Sequence, residues 1–192
     1  MAILILGLVV FLGTHSVRIF ADDWRTAQRM RYGENTWKAV YSLVSIIGFV
    51  LIVWGFGMAR HEPIVLWAPP VAMRHIAALL TAIAFVLISA AYVPRNSLKA
   101  GLHHPMLLGV KLWAFAHLLA NGTLADVILF GSFLIWAVFG FMAARHRDKT
   151  EMTVYPAGTT TGTLTAVVVG LVIWALFAFW LHSLLIGVRP FA

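Results

Sequence analysis

The sequence has 192 residues, of which 61% are hydrophobic and only 11% are charged, with a mean hydropathy of +0.91. Soluble domains carry about 25% charged residues, so this composition excludes a soluble globular enzyme and a disordered chain. The net charge of +7 comes without the basic stripe and stacking aromatics of a nucleic-acid-binding surface, and we expect no nucleic-acid partner.

Segments that lack Asp, Glu, Lys and Arg predict where the chain crosses a membrane, because one crossing needs about 20 apolar residues. The last such segment follows a loop rich in Gly, Pro and Thr at 152–162. In chain order, the segments cover residues 1–17, 39–59, 76–93, 112–125, 127–144 and 164–188. The expected fold is all-α, a polytopic bundle of about six transmembrane helices that forms a single domain over residues 1–192.

The basic residues predict the orientation of these spans. With six crossings, 11 of the 14 basic residues fall on one side of the membrane, and Arg60, Arg74 and Arg189 fall on the other, outer side. Because Lys and Arg concentrate on the cytoplasmic side, both termini are expected to lie outside the cytoplasm. The charged segment 22–34 is expected to lie along the cytoplasmic surface.

The fourth span has the weakest signal but a well-marked end. Asn121 and Gly122 predict a helix stop, and Thr123 and Asp126 have the spacing of a capping box that starts the next helix. A tight turn is therefore predicted between the fourth and fifth spans.

Histidine is the informative residue type, because eight histidines accompany only seven acidic residues and no cysteine. An ionisable group inside a bilayer is energetically costly, so its presence indicates a structural or functional role. A single histidine often only bridges helices through a hydrogen bond, but several together in a chain without thiols favour metal or haem ligation. An alternative interpretation is a transporter or structural protein whose histidines tie helices together.

The depth of each histidine along its span limits the pairs that can share one iron. His75, His117 and His182 group toward the outer side, whereas His15 groups with His103 and His104 toward the inner side. Because two axial ligands of one haem must come from different helices in such a bundle, the depth comparison favours His75 with His117 and makes His15 with His117 dependent on helix tilt.

Three segments resemble a known family. They are GTHSVR at 13–18, GENTWKAVYSLVS at 33–45 and HPMLLGVKLWAFAHLLANG at 104–122. The last is the most specific, since His-Pro, Trp, His and Asn-Gly recur there in fixed order. The chain resembles the NnrU family, whose members are multi-pass proteins of the bacterial inner membrane linked to nitric oxide and nitrite metabolism in denitrification.

The resemblance implies a cofactor and its ligands, because the NnrU family is related to the haem-b enzyme 15-cis-zeta-carotene isomerase. It implies haem b, with His15 and His117 as the iron ligands and His75 and His104 as further recurrent histidines. It leaves open isomerase-like or redox activity on a lipophilic small molecule, and a non-catalytic role as a haem or nitric oxide sensor or an assembly factor.

Residues around the implied ligands are candidates for a supporting role. Trp113 and Asn121 lie four residues before and after His117 and share its helix face, although Asn121 also fits a helix cap. Arg18 follows His15 by three residues and could pair with a haem propionate or act only as a cytoplasmic anchor.

A methyltransferase is a further alternative. The His104-Pro105 pair also resembles the motif of membrane isoprenylcysteine methyltransferases, which use S-adenosylmethionine. The paired glutamates expected after the next helix are reduced here to the single Glu151. Membrane lipids are expected around the spans, and the sequence leaves the oligomeric state open.

Overall fold

The structure, a computed structural model that describes residues 1–191, is helical along most of its length. Its helices, in chain order, are α1 (Ala2–Phe20), α2 (Asp22–Tyr32), α3 (Glu34–Ala59), α4 (Val71–Tyr92), α5 (Ser97–Leu102), α6 (Pro105–Ala120), α7 (Leu124–Thr150), α8 (Thr160–Leu176) and α9 (His182–Ile186). A single π-helical turn, Phe177–Leu181, joins α8 to α9 into one continuous helix.

Among residues 1–191, five helices are long and apolar enough to cross a membrane, and the chain is therefore a multi-pass membrane protein. They are Ala2–Phe20, Glu34–Ala59, Val71–Tyr92, Leu124–Thr150 and Thr160–Ile186. The predicted all-helical polytopic fold is confirmed, and the expected orientation of the termini stays a prediction.

The predicted fourth span corresponds to α6, which has only 16 residues. At 1.5 Å per residue it is about 24 Å long, less than the roughly 30 Å of a hydrocarbon core. It begins at Pro105 rather than at residue 112, because proline is favoured in the first turn, where its missing N–H is not needed. It ends at Ala120, as the predicted stop at Asn121 requires.

The chain divides into two compact units. The first unit contains Met1–Leu66 and Thr123–Ser132, and the second contains Trp67–Gly122 with residues 133–191. Each unit is described by itself below.

In the first unit, α1 and α3 pack almost backbone to backbone. A Cβ atom on Gly7 would lie 2.5 Å from the backbone nitrogen of Ile52, and one on Gly48 would lie 2.7 Å from that of Phe11. Small residues allow this close approach. Lipid tails are as apolar as the helix side chains, so membrane helices associate through van der Waals contact of this kind.

The predicted capping box is confirmed in the same unit. The Asp126 carboxylate accepts from the Thr123 backbone N–H at 3.0 Å and from its hydroxyl at 2.6 Å, while Asp126 N–H donates to the Thr123 hydroxyl at 3.3 Å. α7 accordingly starts at Leu124. The segment 22–34 that was expected to lie on the surface forms α2, which has no buried residue.

In the second unit, α4 packs against both α6 and α8. A Cβ atom on Gly109 of α6 would lie 2.8 Å from the carbonyl oxygen of Ala84 on α4. A Cβ atom on Gly170 of α8 would lie 2.5 Å from the Cα atom of Val86, also on α4. The buried Asn96 closes the end of α4 by donating to the carbonyls of Ala90 and Val93. α4 is therefore the centre of this unit.

We expect Gly7→Ala to destabilise the first unit, because the added methyl would overlap backbone atoms of α3. Overpacking of this kind costs about 1–3 kcal/mol. The measurement is the thermal unfolding midpoint of the detergent-purified protein.

Gly13→Ala is the matched control on the same helix, since nothing lies within 4 Å of the Cβ it would add. Its midpoint should stay equal or rise, because alanine favours helix by about 1 kcal/mol over glycine. Equal midpoints for the two variants would contradict the close packing described here.

Candidate functional site

The second unit contains a cavity of about 370 Å³ whose walls come from α4, α6, the last span and the segment 188–191. This volume lies at the low end of the roughly 300–1,000 Å³ typical of small-molecule sites. Its polar and charged lining residues are Arg74, Thr81, Trp113, His117, Asn121, Trp174, His182 and Arg189.

His117 is held in one tautomer at the wall of this cavity. Its Nδ1–H donates to the backbone carbonyl of Trp113, one helical turn earlier, at 2.8 Å. A carbonyl oxygen only accepts, so the Nε2 atom of the neutral ring carries the lone pair. Histidine ligands of metals are commonly oriented by such a bond from their other nitrogen.

The two predicted supporting residues of His117 lie beside it. The Trp113 ring centroid is 5.0 Å from the imidazole centroid, and the Asn121 amide donates to the His117 carbonyl at 2.8 Å. Asn121 therefore closes the end of α6 and lines the cavity at the same time. These contacts are compatible with both interpretations that the sequence left open for Asn121.

The lining of the cavity combines positive charge with aromatic surface. Arg74 and Arg189 both line the cavity, and no Asp or Glu is among the described residues that do. Phe85, Phe177 and Phe191 add aromatic surface, and the Trp174 indole is fixed by a 3.1 Å hydrogen bond to the Thr81 hydroxyl. This arrangement suits a flat apolar ligand that carries anionic groups.

The sequence did not single out Arg74, Trp174, His182 and Arg189 as site residues. The depth of the histidines along their spans already grouped His182 with His117, and this grouping was the one sequence signal that could have placed His182 in the site. The two arginines had been counted only as basic residues on the outer side, because nothing in the sequence brings residue 189 beside α4.

His15 lies in the first unit, in surroundings that resemble those of His117. Its Nδ1–H donates to the Phe11 carbonyl at 2.7 Å, again one turn earlier in its helix. The ring stacks on Phe11 at 4.2 Å and meets the edge of Tyr41 at 5.2 Å. Arg18 is exposed in the last turn of α1. The implied pairing of His15 with His117 stays a prediction.

His75, the alternative partner, is exposed on α4. It follows Arg74 directly but is not itself among the residues that line the cavity.

His103 and His104 form a separate polar cluster in the second unit. His104 Nε2–H donates to the Asp148 carboxylate at 2.8 Å, and Tyr155 donates to the same carboxylate at 3.1 Å. Arg145 donates to His103 Nδ1 at 2.6 Å. That nitrogen therefore carries a lone pair, and its 3.6 Å approach to Asp148 is not a hydrogen bond.

The backbone at His103 is unusual. Its φ of +66° and ψ of −50°, with a 2.8 Å hydrogen bond from His104 N–H to the Leu102 carbonyl, define a classic γ-turn. The His103 ring stacks on Tyr155 at 4.3 Å. Burial, the hydrogen bond to Asp148 and the charge of Asp148 raise the pKa of Tyr155, so this phenol stays protonated and able to donate.

The methyltransferase alternative depends on His104. In the structure this histidine already has a protein partner, the carboxylate of Asp148. Among residues 1–191 no group of three or more His, Cys, Asp or Glu side chains is arranged to hold a metal ion. A porphyrin supplies four nitrogen ligands itself, so that absence does not bear on a haem.

The fold and the cavity together define a helical, multi-pass membrane protein whose second unit has a cavity lined by aromatic residues and two arginines. The chain matches the family described as NnrU protein over residues 3–190, and it therefore belongs to the NnrU family. The resemblance found in the three sequence segments is confirmed. No curated protein and no solved structure is significantly similar to the chain.

We expect Asp148→Ala to destabilise the second unit, because it removes the acceptor shared by His104 and Tyr155. Leaving partly buried donors without an acceptor costs about 1–3 kcal/mol. The thermal unfolding midpoint should therefore fall, as measured by intrinsic fluorescence in detergent.

Glu151→Ala is the control, since Glu151 is exposed three residues further on. An unfolding midpoint for Asp148→Ala equal to that of Glu151→Ala would show that the cluster does not stabilise the fold.

Proposed function

We propose that this NnrU-family protein binds haem b in the cavity of the second unit, with His117 as an iron ligand, and acts in nitric oxide and nitrite metabolism in the bacterial inner membrane. The observation that carries the proposal is the orientation of His117. Its Nδ1–H is held by the Trp113 carbonyl at 2.8 Å while the residue lines a cavity, which directs the lone pair to Nε2.

The rest of the lining supports the same ligand. A haem has a flat apolar ring and two propionates. Aromatic side chains offer surface to the ring, while guanidinium groups bind carboxylates strongly. Arg74 and Arg189 line the cavity, and no Asp or Glu is among the described residues that do.

Each of these side chains has a defined task. His117 would donate Nε2 to the iron, the arginines would hold the propionates, and the aromatic wall would exclude water. A bound haem would supply one-electron redox chemistry, and its iron would bind a diatomic gas at a position that is open or that a protein ligand vacates.

Purified protein should show a Soret band and one haem b per chain by pyridine haemochrome, and His117→Ala should lose most of the haem. His146→Ala is the control, because His146 is exposed in α7. A wild-type protein without a Soret band after expression with added haem precursor would refute the proposal, as would a spectrum unchanged by His117→Ala.

A second measurement separates sensing from catalysis, the two roles that a haem site here could serve. A sensor should bind nitric oxide in the reduced state, with a shifted Soret band and no product. An isomerase or oxidoreductase should convert an added lipophilic polyene or quinol with multiple turnovers that His117→Ala abolishes. Product formation would overturn the sensor role, and nitric oxide binding without turnover would overturn the enzyme role.

A further inference from the structure

The last span contains the one π-helical turn among residues 1–191, at Phe177–Leu181. Such turns are rare and are frequently found at functional sites. Each inserts an additional residue into an α-helix. Here the turn ends directly before His182, and its residues Phe177 and Ala178 line the cavity.

The additional residue determines which way His182 faces. Trp174 marks the cavity side of this helix through its hydrogen bond to Thr81 on α4. In an uninterrupted α-helix, residue 182 would lie about 80° around the axis from Trp174. One inserted residue removes about 100° of rotation. His182 then returns to within about 20° of the direction of Trp174, and it lines the cavity.

The segment after the helix fixes the His182 ring. Gly187 adopts a left-handed conformation with φ of +75°, which turns the chain back toward the helix. The Val188 carbonyl then accepts from His182 Nδ1–H at 2.8 Å, and Phe191 stacks on Phe179 at 5.1 Å. The lone pair of His182 is thereby assigned to Nε2, as in His117.

We propose that His182 is a second ligand of the haem iron, in the same role as His117; the inference rests on the proposed haem site and names a further ligand. Both residues line one cavity, come from different helices and carry an Nδ1–H held by a backbone carbonyl. The π-helical turn is the positioning device that brings the second of them to that cavity.

The test is the coordination state of the iron, read by optical absorption and low-temperature EPR of detergent-purified protein. Wild type should be six-coordinate and low-spin. His182→Ala should keep its haem but become five-coordinate and high-spin, and added imidazole should restore the low-spin spectrum. His182→Met should give a low-spin histidine–methionine spectrum with a raised reduction potential, which keeps the proposal testable if the alanine variant folds poorly.

Deleting Leu181 tests the role of the π-helical turn. Removal of one residue converts the turn to α-helix and places His182 seven residues after Trp174, which is still within about 20° of the direction of Trp174. The deletion variant should therefore stay low-spin, whereas deletion of both Trp180 and Leu181 rotates His182 away by about 100° and should give a high-spin spectrum that recovers with imidazole. His146→Ala is again the control and should keep the wild-type spectrum.

The remaining outcomes separate failure of this inference from failure of the haem proposal. A low-spin His182→Ala protein, with loss of the low-spin signal in His15→Ala or His75→Ala instead, would overturn the inference and leave the haem site standing. A wild-type protein that is already high-spin would do the same. A wild-type protein without haem would overturn both.

Discussion

Polar groups in the hydrocarbon core of a membrane must find partners inside the protein, because no water is available to them. This chain meets that requirement largely with its own backbone carbonyls. His15 and His117 each donate to the carbonyl one turn earlier, His182 donates to the turn that follows its helix, and Asn96 donates to two carbonyls at the end of α4. The histidines are thus oriented by backbone carbonyls rather than by a buried acid, and no Asp or Glu is among the described residues that line the cavity.

The close helix packing follows from the same apolar surroundings. Helices gain little from hydrophobic burial in lipid and depend on van der Waals contact between small residues. Gly7 and Gly48 provide this contact in the first unit, and Gly109 and Gly170 provide it in the second. In the second unit these contacts pack α6 and α8 against α4, and the side chains beyond the contact points, Trp113 and Trp174 among them, form the cavity wall.

Patterns that act locally could be predicted from the sequence, and features that depend on tertiary packing could not. The helix stop at Asn121, the capping box at Thr123 and the helix face shared by Trp113 and His117 all follow from residues within one or two turns. The last span offered no such signature, since neither the π-helical turn nor the path of residues 188–191 has a sequence signal. His182 was therefore grouped with His117 by depth but given no partner, and Arg189 was counted only as a basic residue.

The neutral carbonyl partners of His117 and His182 would affect the reduction potential of an iron held by these two rings. An imidazole that donates to a carboxylate gains imidazolate character and becomes a stronger electron donor to a metal. Here both acceptors are peptide carbonyls, so each ring remains a weaker donor. Iron held by such rings would favour the ferrous state more than iron held by carboxylate-linked histidines. The arginines that line the same cavity would resist the additional positive charge of ferric iron and act in the same direction.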